Sequence, residues 1–146
     1  MIVKRWKNNH AVIFVLEVAL YSQQVVVFFG KDTGILLKCL KSVTIPEVYE
    51  DYKSFVESST LKKGMLIGNS DYKSSLLWLP QTPSTCEQYA ALAHEIFHTT
   101  VAIMRGIGVD NLTFDNEEAY AYVTGYLTET ILLELNRCKN ISLSNS

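Results

Sequence analysis

The run YAALAHEIFHTTVAIM places His94, Glu95 and His98 inside an otherwise apolar stretch. On a helix, residues four apart are neighbours on one face with Cβ atoms about 5–6 Å apart, so His94 and His98 project side by side. Two imidazoles placed in this way can reach one zinc ion at Zn–N distances of about 2.0–2.1 Å. Glu95 falls on the same arc at about 100° per residue, and its place next to His94 directs it to the open side of the ion rather than into its first shell. This is the residue set of metal-assisted hydrolysis, in which the ion activates water and polarises a carbonyl while a carboxylate moves the proton. Glu87, Ala91 and Ala102 share the arc, and the two alanines leave room for metal, water and substrate. Leu92, Ile96, Phe97 and Met104 point to other sides, where they can pack.

The competing reading is two core histidines satisfied by hydrogen bonds and a solvated glutamate. Against it stands the grouping of three polar side chains in a helix expected to be largely buried, where each unpaired group costs about 1–3 kcal/mol or more. The chain has only three histidines, and two of them fall here.

A catalytic zinc site takes three protein ligands and keeps a further position open for water. The segment NLTFDNEEAYAYVTGYLTE offers Glu117 and Glu118. Helical periodicity does not separate them, because the helix that follows is apolar nearly all round. Their neighbours do lean one way. From Glu118, the residues at +3 and +7 are Ala121 and Gly125, small enough to let this helix come close to the zinc helix. From Glu117 the same offsets give the bulkier Tyr120 and Thr124, which would hold the helices apart. Glu118 is therefore the expected third ligand, and Glu117 a first-turn acid favoured by the helix N-terminus by about 0.3–1 kcal/mol.

HEIFH followed by a glutamate-led helix resembles the gluzincin branch of the zincin metallopeptidases. Glu118 stands twenty residues after His98, the spacing of thermolysin-like enzymes, and Gly125 and Leu127 match the pattern of that family's glutamate helix. The compact length and the EEAYAYVTGYLTE run are similar to small single-domain zincin-like proteins of phage and mobile elements. The likeness covers residues 64–133. It implies a zinc metallopeptidase acting on a protein or peptide, with Glu95 as general base and with SSLLWLP, residues 74–80, lining the cleft and pairing with extended substrate. Two positions depart from the family. Tyr122 stands where thermolysin-like enzymes carry an aspartate that orients a zinc histidine, so Tyr122, Asp115 and Asn116 compete for that task. The family's oxyanion histidine has no counterpart, since only His10 remains, which leaves the hydroxyls of Tyr120, Tyr122 and Tyr126. These departures keep an alternative open, a non-catalytic zinc-stabilised interaction module. The retained Glu95 favours catalysis, because a structural site needs no base beside an open position. A hydrolase of non-peptide amides would use the same constellation.

The elements that must position these residues are legible as one α+β domain. At 146 residues a single core can form, burying roughly 68% of the unfolded surface. The runs AVIFVLEVAL and VVVFFG, separated by Ser22, Gln23 and Gln24, read as paired strands. A short helix over 33–43, capped by Asp32 or Thr33, follows, then a helix opened by Pro46 with Val48, Tyr52, Phe55 and Val56 on one face. GMLIG and SSLLWLP read as two strands around Asn69, Ser70 and Asp71. Two long helices, about 85–105 and 116–137, complete the chain, both apolar on most sides and so expected to be buried. Strands and short helices first, with long helices last, imply α+β.

Lys4, Arg5 and Lys7 precede an apolar run in the manner of a signal peptide, but Glu17 interrupts the run, and Val12, Phe14, Leu16, Val18 and Leu20 alternate as in a strand. Nothing approaches the length of a membrane span, so a membrane is not an expected partner. A net charge of −2 with scattered cations makes nucleic acid an unsuitable partner as well. Cys39, Cys86 and Cys138, three in number and widely spaced, suggest free thiols in a reducing, intracellular setting.

Overall fold

A computed structural model describes residues 1–59, 64–69, 71 and 73–144. In chain order the elements are β1 (Ile2–Lys7), β2 (Val12–Val18), β3 (Gln23–Phe29), α1 (Thr33–Val43), α2 (Pro46–Ser58), β4 (Met65–Asn69), β5 (Ser74–Leu79), α3 (Cys86–Gly106) and α4 (Glu117–Ser144). The strands form one sheet in the order β1-β2-β3-β5-β4. All neighbours are antiparallel except β3 and β5, which run parallel.

The fold is α+β. β2 and β3 are apolar almost throughout because both faces of the sheet are covered, the condition under which a strand reads as a continuous apolar run rather than an alternating one. Phe14, Leu16, Val25 and Val27 pack with Leu92, Ile96 and Ile103 of α3 and with Val123, Leu127 and Ile131 of α4. On the opposite face Ile13, Val15, Val26 and Phe28 pack with Leu36 and Leu40 of α1 and with Val48 and Tyr52 of α2.

Local signals fix the helix starts. Asp32 caps α1 by accepting from the Ile35 amide at 3.1 Å. Pro46 occupies the first turn of α2. Thr85 and Gln88 form a reciprocal capping box at α3.

Several expectations change. The basic N-terminal cluster is an edge strand, β1, paired with β2, and Arg5 forms an ion pair with Glu134 of α4. α4 runs seven residues beyond 137, to Ser144. Phe55 and Phe97 are exposed rather than packed, at 41% and 44%. SSLLWLP lines a cavity beside His94 and Glu95 through Leu79 and Pro80 but cannot pair with a substrate, since β5 is hydrogen-bonded to β3 on one side and β4 on the other; the open edge belongs to β4. The middle of the predicted β4–β5 turn, Ser70, lies outside the described residues. Among the described residues no helix is long and apolar enough to cross a membrane, and no disulfide joins Cys39, Cys86 and Cys138.

Candidate active site

α3 buries Leu92, Ile96, Thr99, Thr100, Ile103 and Met104, of which Leu92, Ile96, Ile103 and Met104 join the core shared with the sheet and α4. That contact rotates His94 and His98 to the solvent side while Glu95 turns inward. The distribution reverses the expectation of buried imidazoles, and of the three side chains Glu95 alone bears a desolvation cost. α3 is amphipathic in practice because Ala90, Ala93 and Phe97 are exposed.

The His94 and His98 Nε2 atoms are 3.0 Å apart, with ring centroids at 4.5 Å and planes at 78°. Two nitrogens each about 2.0–2.1 Å from a tetrahedral ion stand about 3.3 Å apart. The pair is therefore within a few tenths of an ångström of the spacing zinc requires. Without an ion, one ring must donate its Nε2 proton to the other.

Glu95 is 7% exposed, and no side-chain hydrogen bond to it occurs among the described residues. Burial pushes its carboxyl above the ordinary value, against the opposing pull of His94 and His98. Two cavities meet at this side chain. One of about 610 Å³ is lined by His98, Val101, Ala102, Leu66 of β4, Arg105 and Asp110. The other, of about 740 Å³, takes in His94, Ala91, Glu87, Gln88, Lys31 and Leu79. Ala91 and Ala102 thus open space on either side of the motif as their place on the arc predicted.

Glu118 is exposed in the first turn of α4, as is Glu117. Among the described residues no three His, Cys, Asp or Glu side chains are gathered to hold a metal, so the structure brings His94, Glu95 and His98 together but does not draw Glu118 to them. The close approach of α4 to α3 expected at Ala121 and Gly125 does not occur. Ala121 and Gly125 face solvent, and a β-carbon at Gly125 would meet nothing within 4 Å. The helices touch instead through Thr124, whose hydroxyl lies 3.0 Å from that of Thr100.

The accessory candidates also separate. Tyr120 donates to the Val109 carbonyl and Tyr126 to that of Glu17. The Asn116 side chain is used within its own loop, accepting from the Thr113 amide and donating to the Asn111 carbonyl. Tyr122 is 61% exposed, and neither it nor Asp115 has a side-chain hydrogen bond among the described residues. Arg105 and Asp110 were not anticipated. Arg105 lies two helical turns beyond His98, so periodicity could have found it. Asp110 lies beyond the end of α3, where the path of the loop decides what faces the cavity.

Comparison of the chain with family models, curated proteins and solved structures yields no match.

Proposed function

We propose that this protein is a zinc-dependent peptide hydrolase in which His94, His98 and Glu118 hold the metal and Glu95 is the general base. The observation that carries the reading is the 3.0 Å convergence of two imidazole nitrogens beside a buried carboxylate where two cavities meet. Bound zinc would supply a Lewis acid that polarises the scissile carbonyl and lowers the pKa of water towards about 7. Glu95, with its proton affinity raised by burial, takes up the water proton and delivers it to the leaving amine. Glu118 enters this assignment from its spacing to His98 and from the gluzincin likeness.

The two sheet edges support a peptide as substrate. An edge strand presents unpaired N–H and C=O groups to any extended chain, and folded proteins commonly block such edges with charge and bulges. β1 is blocked in this way by Lys4, Arg5 and Lys7 and by a register shift between Ile2 and Lys4. β4, with the sequence MLIGN, carries no charge, and Leu66 and Gly68 line the cavity that holds His98. A peptide added to β4 would lie along α3 and cross the motif. The thiols of Cys39 and Cys86 suit a reducing intracellular compartment.

The test is zinc-loaded protein against a mixed-sequence fluorogenic peptide library, with Glu95→Gln as the control. Cleavage by the wild type alone is the expected result. Stoichiometric zinc binding without cleavage by either protein would identify the zinc-stabilised interaction module instead.

A further inference from the structure

We propose that Gly64 is a positioning residue for Glu95, the bare backbone ahead of β4 setting where the carboxylate lies relative to His94 and His98; this rests on the hydrolase reading above. No hydrogen bond among the described residues fixes the Glu95 side chain, so packing must do so. A β-carbon at Gly64 would lie 3.1 Å from Glu95 Cγ, 3.3 Å from Oε1 and 3.5 Å from Cδ, and these are its three nearest atoms. The first two distances are tighter than ordinary contacts, so any larger residue at 64 displaces the carboxylate by a few tenths of an ångström.

Backbone freedom does not explain the glycine. Among the described residues the positive-φ positions are elsewhere, at Ser22, Gly30, Lys73 and Gly108, so alanine meets no conformational strain at 64 and would restrict the unfolded chain slightly. What position 64 requires is space for one particular side chain. β4 also rests on α3 at a second point, where a β-carbon on Gly68 would come within 3.1 Å of Ala102 Cβ. The backbone therefore runs close to α3 at two points, with Gly68 facing a fixed methyl group and Gly64 facing the proposed base. Catalytic groups need placement within about 0.5 Å, and an error of about 1 Å can cost a hundredfold in rate.

The experiment is a double-mutant cycle with Gly64→Ala and Glu95→Ala, read first as the thermal midpoint of the metal-free protein. Gly64→Ala is expected to lower the midpoint when Glu95 is present and to leave it unchanged or raised in the Glu95→Ala background. Equal shifts in the two backgrounds would overturn the proposal. In the cobalt-substituted protein, Gly64→Ala should change the visible absorption spectrum at unchanged metal stoichiometry; an unaltered spectrum counts against the proposal. With a cleavable peptide, kcat should fall about tenfold with KM nearly constant, as for the loss of an interaction made in the transition state. An unchanged kcat would also refute it. Should the wild type cleave nothing, the hydrolase reading fails by itself, while the stability cycle and the spectrum still decide whether Gly64 places Glu95.

Discussion

The Nε2 atoms of His94 and His98 lie 3.0 Å apart on the solvent side of α3, close enough to share one ligand and exposed enough to exchange it. Zinc should therefore bind at one equivalent per chain and raise the thermal midpoint, since an ion that binds only the folded state stabilises it. A chelator should reverse the gain. Because both rings are exposed, His94→Ala and His98→Ala should abolish the zinc-dependent shift while changing the metal-free stability by no more than about 0.5 kcal/mol. Calorimetry with and without zinc checks both statements, and a metal-independent loss of several degrees in either variant would mark the histidines as structural.

Glu118→Ala should collapse zinc affinity, whereas Glu117→Ala should alter it little. Both side chains are exposed, so neither substitution should disturb the fold, and isothermal titration reads the metal term directly. The reverse ranking would transfer the assignment to Glu117. Loss of affinity in Asp110→Ala alone would place the third oxygen in the loop between α3 and α4.

Glu95→Gln should retain zinc and abolish hydrolysis, and it should also change how stability depends on pH. Burial raises the Glu95 pKa above 4.5, so the native protein binds this proton more tightly than the unfolded chain does. Stability of the metal-free protein should then fall as pH rises from 4.5 through the raised value. Glutamine, neutral throughout, removes that contribution. Denaturation curves across this window should diverge, with the variant gaining on the wild type as pH rises; parallel curves would show that the carboxyl is not desolvated.

Gln23 offers a test remote from the motif. It is 3% exposed, and its Nε2 has no hydrogen-bond partner among the described residues. A buried donor left unpaired costs about 1–3 kcal/mol. Gln23→Met, which keeps the length and removes the donor, should raise stability by about 1 kcal/mol. Gly106→Ala should gain less than the ordinary helix preference of about 1 kcal/mol for alanine over glycine, because the added methyl would come within 2.5 Å of that same nitrogen and Gln23 must shift. Urea midpoints measure both.

The sequence carried the parts of this fold that depend on local chemistry. Asp32, Pro46 and the Thr85–Gln88 pair mark helix starts through bonds or dihedrals within a few residues, and the i, i+4 placement of His94 and His98 follows from helical geometry alone. What depended on long-range pairing was not legible. Ile2–Lys7 reads as a basic cluster, and it becomes a strand only because β2 lies beside it. Nothing in SSLLWLP discloses that it is an inner strand, since strand order is set by the excursion through α1 and α2. Apolar content alone overstates the burial of α3, because one side of it, with Phe97, faces water. The inward turn of Glu95 and the outward turn of Ala121 and Gly125 are likewise consequences of how two helices rotate on a sheet.

The position of β5 has a consequence for how this chemistry can be transplanted. Every proposed ligand and the base lie after residue 64, yet β5 completes its hydrogen bonds only against β3. The Gly30 amide donates to the Leu79 carbonyl, and Trp78 Nε1 donates to the Gly30 carbonyl. Residues 64–146 excised by themselves would expose the whole inner flank of β5 and the apolar undersides of α3 and α4. The motif-bearing half is therefore not a portable module: an ancestor, a fragment or a graft that carried HEIFH without a partner for β5 would possess the donors and lack the rigid frame that aims them.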